Sequence, residues 1–388
     1  MTLRIPLSDL DYGEEEEAAV LEVLHSRWLT MGAVTQEFER EFASLCGVKY
    51  AFAVANGTVA LHLACLAAGI GRGDEVIVPA LTFVATANAV LYTGAEVRFA
   101  EIGGAEDLNI SPEDIERRIT PRTKAILVVH YGGYPCRMGE IMAAARRHGL
   151  VVLEDAAHAP GALLDGRALG AWGSAGCFSF FSNKNLAVGE GGMVVTNRED
   201  YAERLKVLRS HGMTTLTWDR HQGHAFSYDV TALGYNYRID EIRSALGRVQ
   251  LAKLEKNNAR RKALVERYRA GLQEAGLEGV SMPFGAAPGR PAYHIAPVLL
   301  PENADRQAFM TAMRGQGIQT SIHYPPVHLF SYYRQRFPGL SLPVTEAAAA
   351  REVTLPLYPS MRDEDVDEVL RAAREALAAA QTQPLAGV

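Results

Sequence analysis

The sequence predicts an α/β fold: a three-layer sandwich around a mostly parallel sheet, followed by a smaller C-terminal α/β domain. Three observations predict it. Short apolar runs rich in β-branched residues alternate with helical stretches through the first 200 residues, the pattern of successive βαβ units. Runs such as AILVVH at 125–130 and VVL at 151–153 are almost wholly apolar, so helices must cover both of their faces. After Asn236 the alternation gives way to one long helical stretch and mixed short segments, with no repeat or low-complexity linker between the two parts.

The strands are expected near 50–55, 75–79, 96–100, 125–130, 150–154, 177–181 and 192–196. One intervening helix is announced by Ser111-Pro112-Glu113-Asp114, a capping serine with proline in the first turn and an acid three positions on. Another runs to His148 and stops at Gly149. In the second part a long helix covers 238–273, short strands lie around 293–300 and 318–324, and an amphipathic helix starts near Asp363. These elements divide the chain into a large domain, 1–240, and a small one, 241–388, with QTQPLAGV at 381–388 as a free tail.

Composition narrows the function. A chain of 388 residues with 48% apolar content buries an ample core. Lys plus Arg number 39 against 45 Asp plus Glu, a net charge of −6, which gives no broad attraction for nucleic acid or anionic lipid. Neither partner is expected, and a phosphate must be held locally. Cys46, Cys65, Cys136 and Cys177 stand far apart with no CxxC pair, so no metal is expected and a reducing cytoplasm fits. The N-terminus has no basic-then-apolar leader and no run reaches membrane-span length, so export is not expected. The basic stretch with Lys253, Lys256, Arg260, Arg261 and Lys262 reads as a solvated helix face in preference to an anion site.

In an open parallel sheet, ligands bind beyond the carboxyl ends of the strands. Three such positions carry chemistry. After 50–55, Asn56-Gly57-Thr58 opens an apolar helix and exposes helix N–H groups beside a hydroxyl, which is a phosphate cradle or a plain turn. After 150–154, Asp155 places a carboxylate on the ligand side, suited to keep a pyridinium nitrogen protonated, although a helix cap has the same signature. Its neighbour Glu154 points to the opposite face. In CFSFFSNKNLAVGEGG at 177–192, Lys184 follows an apolar strand and precedes a glycine-rich stretch. A desolvated lysine there is a nucleophile that forms a Schiff base with an aldehyde, whereas most loop lysines are merely solvated.

The chain resembles the DegT/DnrJ/EryC1/StrS sugar aminotransferases, fold type I pyridoxal-phosphate enzymes. The resemblance spans nearly the whole chain on nine ordered motifs: RWLTMG at 27–32, NGTVALHLA at 56–64, PALTFVATANAV at 79–90, EDAAHAPGA at 154–162, SFFSNKNLAVGEGG at 179–192, RSHGM at 209–213, GYNYR at 234–238, HYPPVH at 323–328 and LPLYPSM at 355–361. It implies that Lys184 is the catalytic lysine bonded to pyridoxal 5'-phosphate and that Asp155 partners the pyridine nitrogen. It further implies a phosphate on Gly57, Thr58 and Ser179, Phe83 stacked on the ring, and His158 near the ring's phenolic oxygen. Asn236 is implied to reach the phosphate of a neighbouring subunit in a homodimer with shared sites, although capping of the long helix would also explain an asparagine there. Thr30, His323, Tyr324 and His328 are implied to lie toward the substrate. Phe181 departs from the histidine frequent at that position, and Ser182-Asn183 is uncommon before the lysine, so the substrate is less defined than the chemistry.

The expected reaction moves an amino group from an amino acid, glutamate or glutamine, to a keto sugar, nucleotide-linked in the leading reading. Lys184 serves as nucleophile and as the base that carries the proton. A dehydratase or lyase using the same cofactor, and a ligand sensor without turnover, are the competing readings. The first would turn over one substrate without amino transfer to a second. The second has no need of both Lys184 and Asp155.

Overall fold

A computed structural model describes residues 3–214, 227–274 and 276–382. Most of the expected tail lies outside the described residues. The seven expected strands form one sheet: β1 (Tyr50–Val54), β2 (Glu75–Pro79), β3 (Glu96–Ala100), β4 (Thr123–Val129), β5 (Val151–Asp155), β6 (Ala175–Ser179) and β7 (Gly192–Thr196). Their spatial order is β1-β7-β6-β5-β4-β2-β3, and β7 runs antiparallel to both of its neighbours, while the other pairs are parallel.

Helices cover both faces, as the continuous apolar runs require. On one face Ile126, Val128 and Val152 pack with Phe38 and Phe42 of α2 (Ala33–Cys46) and Ile141 of α6 (Met138–His148). On the other, Leu127 and Leu153 pack with α3 (Gly57–Ala67), α4 (Ala85–Tyr92) and α7 (Glu199–Leu208). Period-two alternation along β4 and β5 therefore feeds two cores from one strand.

Local chemistry sets the helix ends. In α5 (Pro112–Arg118), Ser111 Oγ accepts from Asp114 N at 3.2 Å, with proline in the first turn. α6 ends where Gly149 takes φ 65°, a conformation glycine enters without steric cost. α1 (Glu14–Ser26) precedes α2 and packs on α8 (Glu241–Glu274), the expected long helix.

A third core joins Leu264, Val265 and Tyr268 of α8 to β8 (Ala296–Leu299), α9 (Arg306–Gly315), β9 (Glu352–Leu355) and α12 (Asp363–Thr382). Between α9 and β9 lie α10 (Ser331–Arg336) and α11 (Pro343–Arg351). Two expectations need correction here. Segment 318–324 is not a strand: it makes isolated bridges at Ile318 and Ser321, and β8 pairs antiparallel with β9. Arg261 is not solvated. It is buried and donates to the carbonyls of His294 and Leu357 at 3.2 and 2.9 Å, and burial lowers its pKa to about 10. The other basic residues include Lys253, paired with Glu15 and Glu16, and Arg260, paired with Asp363.

Candidate active site

The carboxyl ends of β1, β5 and β6 open into one cavity of about 360 Å³. Asn56, Gly57 and Thr58 line it from the start of α3, Phe83 from the turn before α4, Asp155 from β5, and His158 from the loop that follows. Ser179 at the end of β6, Lys184 beyond it, and His323 and Tyr324 from the second part of the chain complete the wall. A larger groove of about 860 Å³ lies along α1, α2 and α8 and shares none of these residues.

One corner is built for an anion. Asn56 Oδ1 accepts from Val59 N at 3.0 Å and caps α3, and the Gly57 and Thr58 N–H groups stand in the first turn, where no helical carbonyl can reach them. Ser179 closes in from β6: a Cβ on Gly57 would stand 2.8 Å from Ser179 Cβ, so only glycine permits that approach.

Asp155 sits at the other end. Its Oδ2 accepts from Thr86 Oγ1 at 2.8 Å and its Oδ1 from Ala157 N at 3.1 Å. Burial pushes the carboxyl above its usual range, opposed by those two donors and by the Lys184 charge. Glu154 turns to the opposite face, where it accepts from Gly170 N, Gly173 N and His130 Nε2.

Lys184 stands on the loop between the antiparallel neighbours β6 and β7. Desolvation lowers its pKa to about 8, and Asp155 holds it back from falling further. Its Nζ lies 3.5 Å from His294 Nε2. Asn185 fixes that imidazole: its Nδ2 donates to Ala292 O at 2.7 Å and Asn258 Oδ1 at 2.8 Å, leaving Oδ1 to accept from His294 Nδ1 at 3.0 Å. The assigned tautomer thus presents the Nε2 lone pair to Lys184. Burial, and then the Lys184 charge, hold His294 well below the usual histidine range, so the ring is neutral.

His158 Nδ1 accepts from Gly132 N at 3.2 Å, so Nε2 carries the proton and donates to Tyr324 Oη at 3.0 Å. The Phe83 side chain is 57% exposed, with its ring 5.9 Å from that of Tyr324, leaving an aromatic surface open to the cavity. Asn183 Oδ1 is buried beside Lys184 without a partner among the described residues.

Three expected site residues stand outside this cavity. Thr30 is exposed and bridges Asp240, and Asn236 is exposed and bridges Ser210. His328 lies in a 3-10 turn that directs its imidazole inward, against Phe99 and 2.9 Å from Glu346 Oε1. In turn, the sequence reading missed Thr86, Asn185 and His294. A histidine in the apolar run YHIAPV reads as core, and its partner Asn185 is 109 positions away. Thr82 and Thr86, one helical turn apart and bonded at 2.8 Å, carried the only local signal.

The model of the DegT/DnrJ/EryC1/StrS aminotransferase family matches residues 10–374. The chain belongs to this family. It is 42% identical over 370 residues, 94% of each chain, to the spore coat polysaccharide biosynthesis protein SpsC of Bacillus subtilis (strain 168). The structure of S. venezuelae DesV in complex with a ketimine intermediate superposes with a TM-score of 0.88 at 38% identity, covering 96% of this chain and 98% of that one. The structure of DesI in the presence of its TDP-sugar product gives 0.85 at 31% identity, covering 98% and 92%. The protein is a pyridoxal-phosphate-dependent aminotransferase with the fold type I architecture, as its motifs imply.

Proposed function

We propose that this aminotransferase takes nitrogen from an amino acid, glutamate or glutamine, and delivers it to a nucleotide-linked keto sugar, with pyridoxal phosphate held in the 360 Å³ cavity. One observation carries the reading: a lysine with a depressed pKa and a buried aspartate face the same cavity, beside an open helix N-terminus.

The residues fit the cofactor. The close approach of Ser179 to Gly57, the first-turn N–H groups and the Ser179 and Thr58 hydroxyls suit a phosphate dianion. Once bound, the cofactor supplies an aldehyde carbon to carry nitrogen and a ring to absorb carbanion charge. Asp155, oriented by Thr86 and Ala157 N–H, holds a proton at the ring nitrogen. Lys184 Nζ would take the proton from the donor's α-carbon and deliver it to the carbon the cofactor supplies as an aldehyde, while a neutral His294 accepts a hydrogen bond from that amine without adding charge. Phe83 would cover a ring face, and His158 Nε2–H, which here donates to Tyr324 Oη, would serve a phenolic oxygen of the ring in its place. His323, Tyr324, Phe181 and Asn183, whose Oδ1 has no partner among the described residues, would form the acceptor side.

The nucleotide-linked acceptor is supported by the TDP-sugar product named for DesI. We extend the proposal to a homodimer with shared sites, since Asn236 is exposed and away from its own chain's cavity. We also place a domain division near residue 240, where α8 begins, and the enzyme in the cytoplasm, where its four unpaired cysteines would stay reduced.

The test converts the purified enzyme to the aminated cofactor form and adds keto sugars, free and nucleotide-linked, with a carbocyclic ketone as comparison. Restoration of the original cofactor absorbance by a nucleotide-linked keto sugar is the expected result. Restoration by none of the panel, with a donor amino acid still consumed, would point to a lyase.

A further inference from the structure

Behind the acceptor side of the cavity lies a chain of hydrogen bonds that the transfer described above leaves unused. Glu352, the first residue of β9, is 1% exposed. Its Oε2 accepts from the backbone N–H of His323 at 2.7 Å, and its Oε1 accepts from Thr354 Oγ1–H at 2.6 Å. Thr354 Oγ1 lies 2.8 Å from His323 Nδ1. A threonine hydroxyl has one proton; with that proton on the carboxylate, the contact with the ring has its proton on Nδ1, which donates to Thr354. Nε2 then carries a lone pair. It has no hydrogen-bond partner among the described residues, and the ring lines the cavity within electrostatic reach of Lys184.

We propose that His323, Thr354 and Glu352 form a proton relay in which a proton accepted at His323 Nε2 from the cavity comes to rest on Glu352. The balance is simple. An N–H bond forms at Nε2, the Nδ1 proton passes to Thr354 Oγ1, and the hydroxyl proton of Thr354 passes to Glu352 Oε1. One proton has entered, the imidazole ends neutral as it began, and the carboxylate has been neutralised. What the cavity meets has changed sign: Nε2 was an acceptor and is now a donor. Glu352 and Thr354 are thus positioning residues that set the hydrogen-bond polarity of His323.

The surroundings suit this. Burial raises the Glu352 pKa to about 7, while burial and the Lys184 charge lower that of His323 to about 4. A proton arriving at the ring is therefore better accommodated on the carboxylate. The groups facing Glu352 are Arg306 from α9, which binds the Ala349 and Glu352 carbonyls and partly offsets the raised pKa, and the neutral phenols of Tyr131 and Tyr324. Tyr131 Oη–H donates to the His323 carbonyl and helps hold the segment. Facing His323 are Lys184 and the rings of His158 and His294. A relay of this polarity matches a keto sugar, which presents a carbonyl oxygen before nitrogen arrives and hydroxyl groups throughout. That last link rests on the proposed acceptor, whereas the relay itself does not.

The test reads the His323 tautomer by imidazole nitrogen NMR on cofactor-loaded enzyme without substrate, with the His323 signals assigned through His323→Asn. Wild type is expected to pass from Nε2–H to Nδ1–H as pH rises through about 7, with about a thirtyfold excess of one form at about 1.5 units on either side. Glu352→Gln keeps the shape but has an amide that donates to Thr354, so it should lock the Nε2–H form across that range. Thr354→Val removes the bridge and should abolish the pH dependence. A single wild-type tautomer at all these pH values would overturn the relay, as would the same midpoint in Glu352→Gln. Because no substrate is present, failure here is distinct from failure of the keto-sugar assay.

Discussion

At the scale of residues, the chemistry depends on where one amine gives up its proton. Burial brings Lys184 down to about 8 from 10.5, so in cofactor-free enzyme the fraction of neutral amine grows as pH rises through that value. The rate of covalent capture of pyridoxal phosphate should rise in parallel and level off above it, followed by stopped-flow absorbance. Asp155 is the charge that raises the Lys184 pKa, so Asp155→Asn should move the midpoint to lower pH. The same variant should slow the donor half-reaction by about 10²-fold or more in single-turnover experiments, because an amide cannot hold the ring proton. A midpoint that stays put or climbs would refute the coupling. The places of Lys184 and Asp155 on the cavity were legible because Asp155 ends an apolar strand of a parallel-sheet pattern and Lys184 follows one. His294 and Glu352 were not: one hides in an apolar run, the other opens the strand EVTL, and both gain meaning from partners far off in sequence.

Elements show the same limit. All seven strands of the large sheet could be read because each is a short apolar run or, in EVRFA of β3, a period-two alternation, with its own turn chemistry. The small sheet was half read, since the partner of β8 comes from Glu352–Leu355, more than 50 residues further on, and the segment IQTSIHY at 318–324, with its β-branched residues, looked equally eligible. The start of α3 is where an element meets the ligand directly. Gly57→Ala should lower stability by about 1–3 kcal/mol in urea unfolding, because the new methyl meets Ser179 Cβ at 2.8 Å. It should also weaken binding of pyridoxal phosphate more than binding of pyridoxal, which lacks the phosphate. Equal weakening of both ligands would place the phosphate elsewhere.

For the whole molecule, Asn236 poses the question of how many chains make one site. It lies on an exposed segment bridged to Ser210, outside the cavity of its own chain. Mixing inactive Lys184→Ala with inactive Asn236→Asp chains should restore part of the activity if sites are shared. Every mixed dimer then carries both lesions in one site and neither in the other. No recovery after confirmed subunit exchange would confine Asn236 to its own chain. Tertiary arrangement also decides how Lys184 itself can move. The loop between β6 and β7 is clamped near both ends, Phe180 N donating to Gly191 O at 2.8 Å and Val188 N to Phe180 O at 2.9 Å. Lys184 N is held in turn by Phe181 O at 2.9 Å. When the amine leaves one partner for another, the backbone is already fixed and the motion falls on the four methylenes of the side chain. A side-chain rotation of that kind asks for no rearrangement of the loop, so the lysine can change partners while its peptide bonds stay where β6 and β7 hold them.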